Sequence, residues 1–246
     1  MPRLALLALL PLALAACGTA RQTSSVLAVH AQRCAPGYRA VESSRRAYAA
    51  IVRARATAYR APGGKPIAAF GKVNVNDFPT VFGVVGKLVR ADCKVAWLRA
   101  ELPIKPNGAT GWIRARDVDV WPVRTRLLVD LSARRVTLFR SGRKVLAATA
   151  AIGSPATPTP TGRYYVNQRL VPTDPAGPFG PGAIGISAFS EVLTGWTQGG
   201  PVAIHGTNEP WLIGRAVSNG CIRVRNDDLQ RLFKLAIAGT PVEIRA

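Results

Sequence analysis

The stretch Leu127–Ile152, LLVDLSARRVTLFRSGRKVLAATAAI, reads as three consecutive strands. Leu127, Val129 and Leu131 alternate on the first, and Val136 and Leu138 fall on the next, after the break at Ser132 to Arg135. Ser141-Gly142 then turns the chain into a third strand, Lys144 to Ile152. A period of two puts every second side chain on one face, so the segment is an antiparallel meander. Upstream, from Ile51, short strands recur between turn residues. Thr57 to Arg60 runs into Ala61-Pro62-Gly63-Gly64, and Val73-Asn74-Val75 precedes Asn76-Asp77; Trp97-Leu98 and Gly111-Trp112-Ile113 follow. That pattern indicates a small all-β barrel. One helix is expected near the end. Asn226 is a good N-cap, with Asp227 and Asp228 in the first turn, Leu229, Leu232, Phe233 and Ala236 on one stripe, and Gly239 with Pro241 as the stop. The chain is therefore expected to be mainly β, with a first β domain over 51–122, a second over 123–246 and few short helices.

Composition narrows the function classes. The chain has 246 residues, 48% of them apolar and 19% charged, which excludes a largely disordered protein. Beyond the N-terminus no apolar run reaches 18 residues, so a polytopic membrane protein is excluded as well. The formal net charge of +20 points to an anionic partner surface without saying which one. Arg3 followed by the 13 apolar-rich residues Leu4 to Ala16 is too short to span a bilayer and reads as a secretory signal. The signal ends in Leu14-Ala15-Ala16-Cys17, which resembles the lipobox of bacterial lipoproteins. That resemblance implies cleavage after residue 16, a diacylglycerol on Cys17, and an extracytoplasmic, membrane-anchored protein facing the cell wall or periplasm. Residues 17–50, polar and rich in Arg and Ser at the start, read as a tether with a short helix near Glu42 to Tyr48. Export and the lack of a recognition motif speak against nucleic acid as the partner. The charge suits anionic phospholipid and wall polymer instead.

Export also bears on the remaining cysteines. Cys34, Cys93 and Cys221 are an odd number, and three pairings are open. Cys34 and Cys93 share the N-terminal half, whereas Cys221 sits in a glycine-containing segment, so a Cys34–Cys93 disulfide with Cys221 free is expected.

Two short stretches carry chemistry: Ile204-His205-Gly206-Thr207 and Ser218-Asn219-Gly220-Cys221-Ile222-Arg223. Acyl transfer by a thiol needs a base for its proton and backbone N–H groups for the developing oxyanion. A His 16 residues before a Cys can meet it only if the intervening loop folds back between two strands, and residues 207–217, with their Asn, Pro and Gly, permit that. Gly220 would let the backbone approach an acyl carbonyl closely. A metal site is poorly supported, because His30 and His205 are the only histidines and no carboxylate cluster accompanies them.

The combined motif resembles the signature of the L,D-transpeptidase (YkuD-like) family, an HG dipeptide followed further on by S/T-H-G-C, a hydrophobic residue, Arg and a later Asn. His205, Ser218, Gly220, Cys221, Ile222, Arg223 and Asn226 match it. Ala156 to Gly162, ATPTPTG, resembles the family's TPTPTG segment, and Leu102 to Trp112, LPIKPNGATGW, resembles the segment leading into many such domains. The stretch before it, ending in Gly111-Trp112-Ile113, resembles bacterial SH3-like domains. The resemblance implies a β-rich catalytic domain behind an SH3-like barrel, acting on peptidoglycan stem peptides without cofactor or metal. Cys221 would attack the carbonyl of the third residue of a tetrapeptide stem, typically diaminopimelate, and expel D-Ala. His205 would hold or generate the thiolate, the Gly206 carbonyl would orient the imidazole, and the N–H groups of Asn219, Gly220 and Cys221 would receive the oxyanion. Such cysteines are acylated by carbapenems. Arg223 would take a substrate carboxylate or serve in a structural ion pair, and Ser218 would hydrogen-bond within the turn or toward substrate. Asn219 stands where the family has His. The family uses that position largely through its backbone N–H, which Asn keeps, so an active enzyme is expected. An L,D-carboxypeptidase, with water as acceptor, and a non-catalytic wall-binding lipoprotein are the alternatives.

Overall fold

The structure, a computed structural model, describes residues 35–193 and 195–246. The expected signal peptide, Cys17 and Cys34 lie outside the described residues. The fold is mainly β, as expected. The first sheet has eight strands: β1 (Gly37–Ala40), β2 (Ala47–Val52), β3 (Arg55–Tyr59), β4 (Pro66–Gly71), β5 (Val81–Val89), β6 (Val95–Glu101), β7 (Thr110–Arg114) and β8 (Val118–Val123). Their order is β4-β3-β7-β6-β5-β2-β8, with β1 beside β5. The sheet closes over a core that includes Ala50, Val52, Phe82, Leu98 and Ile113.

This sheet begins ahead of the expected tether boundary at residue 50. Glu42 to Tyr48 form no helix; Ala47–Val52 is instead a strand paired with β5 on one side and β8 on the other. Ala47, Ala49, Ala50 and Val52 are all buried, so both faces of β2 are covered and no clean alternation marks it in the sequence. Glu42 binds Arg126 at 2.9 Å and also pairs with Arg163, both from the second sheet.

The second sheet contains β9 (Thr125–Asp130), β10 (Arg135–Arg140), β11 (Arg143–Gly153), β12 (Gly162–Leu170), β13 (Ala183–Phe189), β14 (Pro201–His205), β15 (Ala216–Ser218), β16 (Ile222–Val224) and β17 (Pro241–Arg245). Its order is β10-β9-β17-β12-β13-β14-β16-β11-β15, and β10 also pairs with β11. The path therefore returns on itself and leaves only β15 outside the ring, which removes the exposed edges an open sheet would carry. The meander read from the sequence is β9 to β11, with Leu127, Val129, Val136 and Leu138 fully buried. A ten-residue helix, α1 (Asn226–Leu235), buries Leu229 and Leu232 against β13 and β14. Ala47, Ala49, Val81 and Val123 pack with Trp121 and Ala238 where the two sheets meet. Gly239 is at φ +83° there, and a Cβ on it would lie 2.1 Å from that of Ala49.

Candidate active site

β14 and β16 run parallel side by side, with Ile204 opposite Ile222 and His205 opposite Arg223. Cys221 immediately precedes β16 and so lies level with Ala203. Val202, Ile204, Ile222 and Val224 are buried in the core. Side chains alternate along a strand, so Pro201, Ala203 and His205 of β14 and Cys221 and Arg223 beside β16 share the opposite, outer face. The returning loop, residues 206–221, is thus what makes His205 and Cys221 diagonal neighbours on one surface.

The imidazole is fixed from one side. His205 Nδ1 lies 2.6 Å from the Gly206 carbonyl oxygen. A carbonyl only accepts, so Nδ1 carries the proton and the neutral ring presents the lone pair of Nε2, which has no partner among the described residues. The Phe179 ring, centred 4.9 Å from the imidazole at 60°, covers one side of it. Burial, assisted by the positive charge of Arg223, pulls the His205 pKa down to about 4 against the bond to Gly206. Burial pushes the Cys221 thiol up from its ordinary value, opposed by the Ala203 N–H and by Arg223. Both shifts disfavour a preformed thiolate and imidazolium. Cys221 is a free cysteine. Cys93 is disulfide-bonded, while its expected partner, Cys34, lies outside the described residues.

Ser218 organises the turn before the thiol. Its hydroxyl donates to the Cys221 carbonyl at 2.5 Å and accepts the Gly220 N–H at 3.2 Å. This changes the expected oxyanion set: the Gly220 N–H points back into the turn, and of the three candidates Asn219 and Cys221 remain. Gly220 is at φ +104°, which any side chain would strain. The Asn219 side chain is exposed. Beneath the turn, the Ser218 carbonyl accepts the Ser154 N–H and the Thr157 hydroxyl, each at 2.9 Å, and the Gly153 N–H donates to Thr159 Oγ1 at 2.9 Å. The segment that resembles TPTPTG thus forms a platform that props the turn before Cys221 from below.

Arg223, expected to receive a substrate carboxylate or to form an ion pair, does the second. Its Nη1 binds Glu209 Oε2 at 2.9 Å. The ion pair ties the loop after Gly206 to β16. Asn226 was read as a helix cap, yet α1 has no side-chain cap, and Asn226 Oδ1 instead accepts the Thr207 N–H at 2.8 Å. Phe179, Glu209 and this role of Asn226 were not read from the sequence. The Pro178-Phe179-Gly180-Pro181 run signals only a turn, and nothing local says that it folds over residue 205.

Comparison with known proteins places the chain in a family. The family model for the L,D-transpeptidase catalytic domain, YkuD, matches residues 124–244. The YkuD protein of Bacillus subtilis, named as an L,D-transpeptidase, is 36% identical over 126 residues, covering 51% of this chain and 69% of its own length. The ErfK/SrfK protein of Escherichia coli K12, also named as an L,D-transpeptidase, is 42% identical over 94 residues, covering 36% of this chain and 26% of its own. Among solved structures, an Enterococcus faecium L,D-transpeptidase mutant is 25% identical, with a TM-score of 0.37 and 49% of each chain covered, so the chain spans about half that protein's length. On the curated relatives and the family model, this chain belongs to the L,D-transpeptidase family, with its YkuD catalytic domain formed by the second sheet.

Proposed function

We propose that the chain is a peptidoglycan L,D-transpeptidase that uses Cys221 as its nucleophile. The observation that carries this is the shared outer face of β14 and β16, where Cys221 lies diagonal to an imidazole whose Nδ1 is pinned at 2.6 Å to Gly206 and whose Nε2 is open. His205 Nε2 takes the thiol proton as sulfur bonds to the carbonyl carbon of the third stem residue. The carbonyl electron pair moves to oxygen, where the Asn219 and Cys221 N–H groups receive it. Collapse breaks the C–N bond, and the D-Ala amine leaves with the proton from His205. An acceptor amine then adds to the thioester, gives its proton to His205, and collapse returns sulfur as the thiol, making a 3→3 cross-link. Drawing the proton off only as the bond forms suits a buried neutral pair better than a resting thiolate would.

Incubation with purified disaccharide-tetrapeptides, followed by mass spectrometry, tests this reading. A 3→3 cross-linked dimer with release of D-Ala is expected. A tripeptide alone replaces the transpeptidase with the carboxypeptidase, and unchanged substrate leaves a wall-binding protein.

The lipid anchor is a second proposal, resting on Leu14-Ala15-Ala16-Cys17. A diacylglyceryl unit supplies two chains, enough for stable attachment. The mature N-terminus should carry the lipid mass on Cys17, and Cys17→Ala should move the protein out of the membrane fraction. Unchanged fractionation would sink the anchor.

A further inference from the structure

The β10–β11 hairpin ends in a cluster of positive charge that no carboxylate balances. Arg140 and Arg143 stand directly opposite each other on either side of the tight turn Ser141-Gly142. Like charges facing each other across two strands destabilise the pair unless a counter-charge is supplied. Two other connections bring their own cations to the same turn. The Arg124 carbonyl, just ahead of β9, accepts the Ser141 N–H at 2.7 Å. Arg45, from the β1–β2 connection, lies so close that a Cβ on Gly142 would sit 3.4 Å from its Cγ. Lys144 follows on β11.

Arg45, Arg124, Arg140, Arg143 and Lys144 are all exposed, and none forms an ion pair among the described residues. Glu42 and Glu243 share hollows with Ser44, but other arginines engage them. Glu42 holds Arg126 and Arg163, and Glu243 lies 3.9 Å from Arg126. An open concavity of about 530 Å³ is lined by Ser44, Arg45, Ser141, Gly142 and Arg143. Beside the cations, Val145 leaves 44% of an apolar side chain exposed.

We propose that this hairpin end is the face by which the protein docks on an anionic phospholipid surface. Guanidinium groups bind phosphate oxygens through charge-assisted hydrogen bonds, and the two serine hydroxyls add neutral donors. Each cation near such a surface adds to the attraction, and the exposed Val145 suits the headgroup boundary. Shape favours a bilayer over a soluble polyanion. The cations come from three connections around one exposed turn, and a plane of headgroups meets them together. The lipid proposed on Cys17 would hold the chain at the same kind of surface.

Docking there also orients the active site. β11 begins at the turn with Arg143 and ends at Gly153, whose N–H donates to Thr159 in the platform under Ser218. Its 11 residues run about 33 Å along the strand. The Cys221 turn therefore sits at the far end of β11 from the docking face. This proposal and the transpeptidase reading stand apart, and neither depends on the other.

Co-sedimentation with vesicles of equal parts phosphatidylglycerol and phosphatidylcholine tests it, using the full Cys17→Ala chain, which carries no lipid on that residue. Binding is expected, weakening at least tenfold as salt rises from about 50 to about 300 mM. Arg140→Gln with Arg143→Gln should weaken binding at low salt at least tenfold, without lowering the melting temperature, because a repulsive pair is removed. Arg45→Gln with Lys144→Gln should do the same and leaves the cross-strand pair intact. Arg60→Gln with Lys65→Gln is the control. It removes two charges from the β3–β4 turn and should leave binding close to that of the unsubstituted cluster. No binding to these vesicles, equal binding to pure phosphatidylcholine, or an equal loss in the control overturns the proposal. Capture of soluble inorganic polyphosphate without capture of vesicles overturns it too, in favour of a soluble phosphate polymer.

Discussion

Incubated with a carbapenem at neutral pH, the wild-type chain should gain one drug equivalent in intact mass, Cys221→Ala should gain none, and His205→Gln should react about 10²–10⁴-fold more slowly. Transfer between stem peptides should fall by about 10⁴-fold or more in Cys221→Ala, since removing a nucleophile removes the covalent path itself. The pH dependence separates two ways in which a thiol can react. Burial holds the His205 imidazole down to about 4 and the Cys221 thiol above its ordinary value. Acylation assisted by the neutral imidazole should therefore rise through about pH 4 and stay level across neutrality. Iodoacetamide, which needs the free thiolate, should react slowly at pH 7 and faster only as the pH climbs past the usual thiol range. Rapid alkylation at pH 7, or equal carbapenem uptake by Cys221→Ala, would contradict the neutral-pair assignment or the nucleophile respectively. The same depression of His205 sets an acid liability. The folded ring resists a proton that the unfolded ring accepts near the ordinary imidazole value of 6.5, so stability falls as pH drops from there toward 4. The loss is at most about 3 kcal/mol, and His205→Gln should abolish that part of the acid sensitivity.

Legibility in the sequence followed the number of faces that water touches. The β9 to β11 meander has one face inward, and its alternation of Leu127, Val129, Val136 and Leu138 matches the residues that are fully buried. β2 is covered on both faces, so its AYAAIV sequence carries no period, and Arg45 and Arg46 ahead of it resemble more tether. At the site, His205, Gly206, Ser218 and Cys221 were visible because their run matches the signature of the resembled family, where a His and a Cys alone would have said little. The direction of the Gly220 N–H was not visible, because it depends on which way a Ser218 hydroxyl turns. Nor was the use of Asn226: a residue suited to capping a helix is equally suited to accepting any nearby N–H, and tertiary structure supplied the one on Thr207. The hydrogen bond from Asn74 to Gln168, between the two sheets, was beyond reach for a simpler reason. Asn74 and Gln168 are 94 positions apart, and no local pattern relates them.

Gly180 offers the second large effect, from a residue outside both motif stretches. It sits at φ +60°, and a Cβ there would lie 2.4 Å from Asn226 Oδ1, 2.8 Å from the Thr207 nitrogen and 2.9 Å from the Gly206 Cα. Two of those three atoms are backbone, so a methyl group can be accommodated only by displacing the Gly206–Thr207 segment. That segment carries the carbonyl that holds His205 Nδ1 at 2.6 Å. Gly180→Ala should therefore cost about 2–4 kcal/mol, seen as a melting temperature lower by roughly 5–15 °C. In the surviving folded protein, kcat should fall as the imidazole loses its orientation. Gly63→Ala is the matched control: its φ is +74°, but a Cβ there meets nothing within 4 Å. It isolates backbone strain, about 1 kcal/mol, and should leave turnover near wild type. If the two variants melt together and turn over alike, the loop from Gly177 to Gly182 does not position the histidine, and the bond to Gly206 would have to be maintained by the β14–β16 register alone.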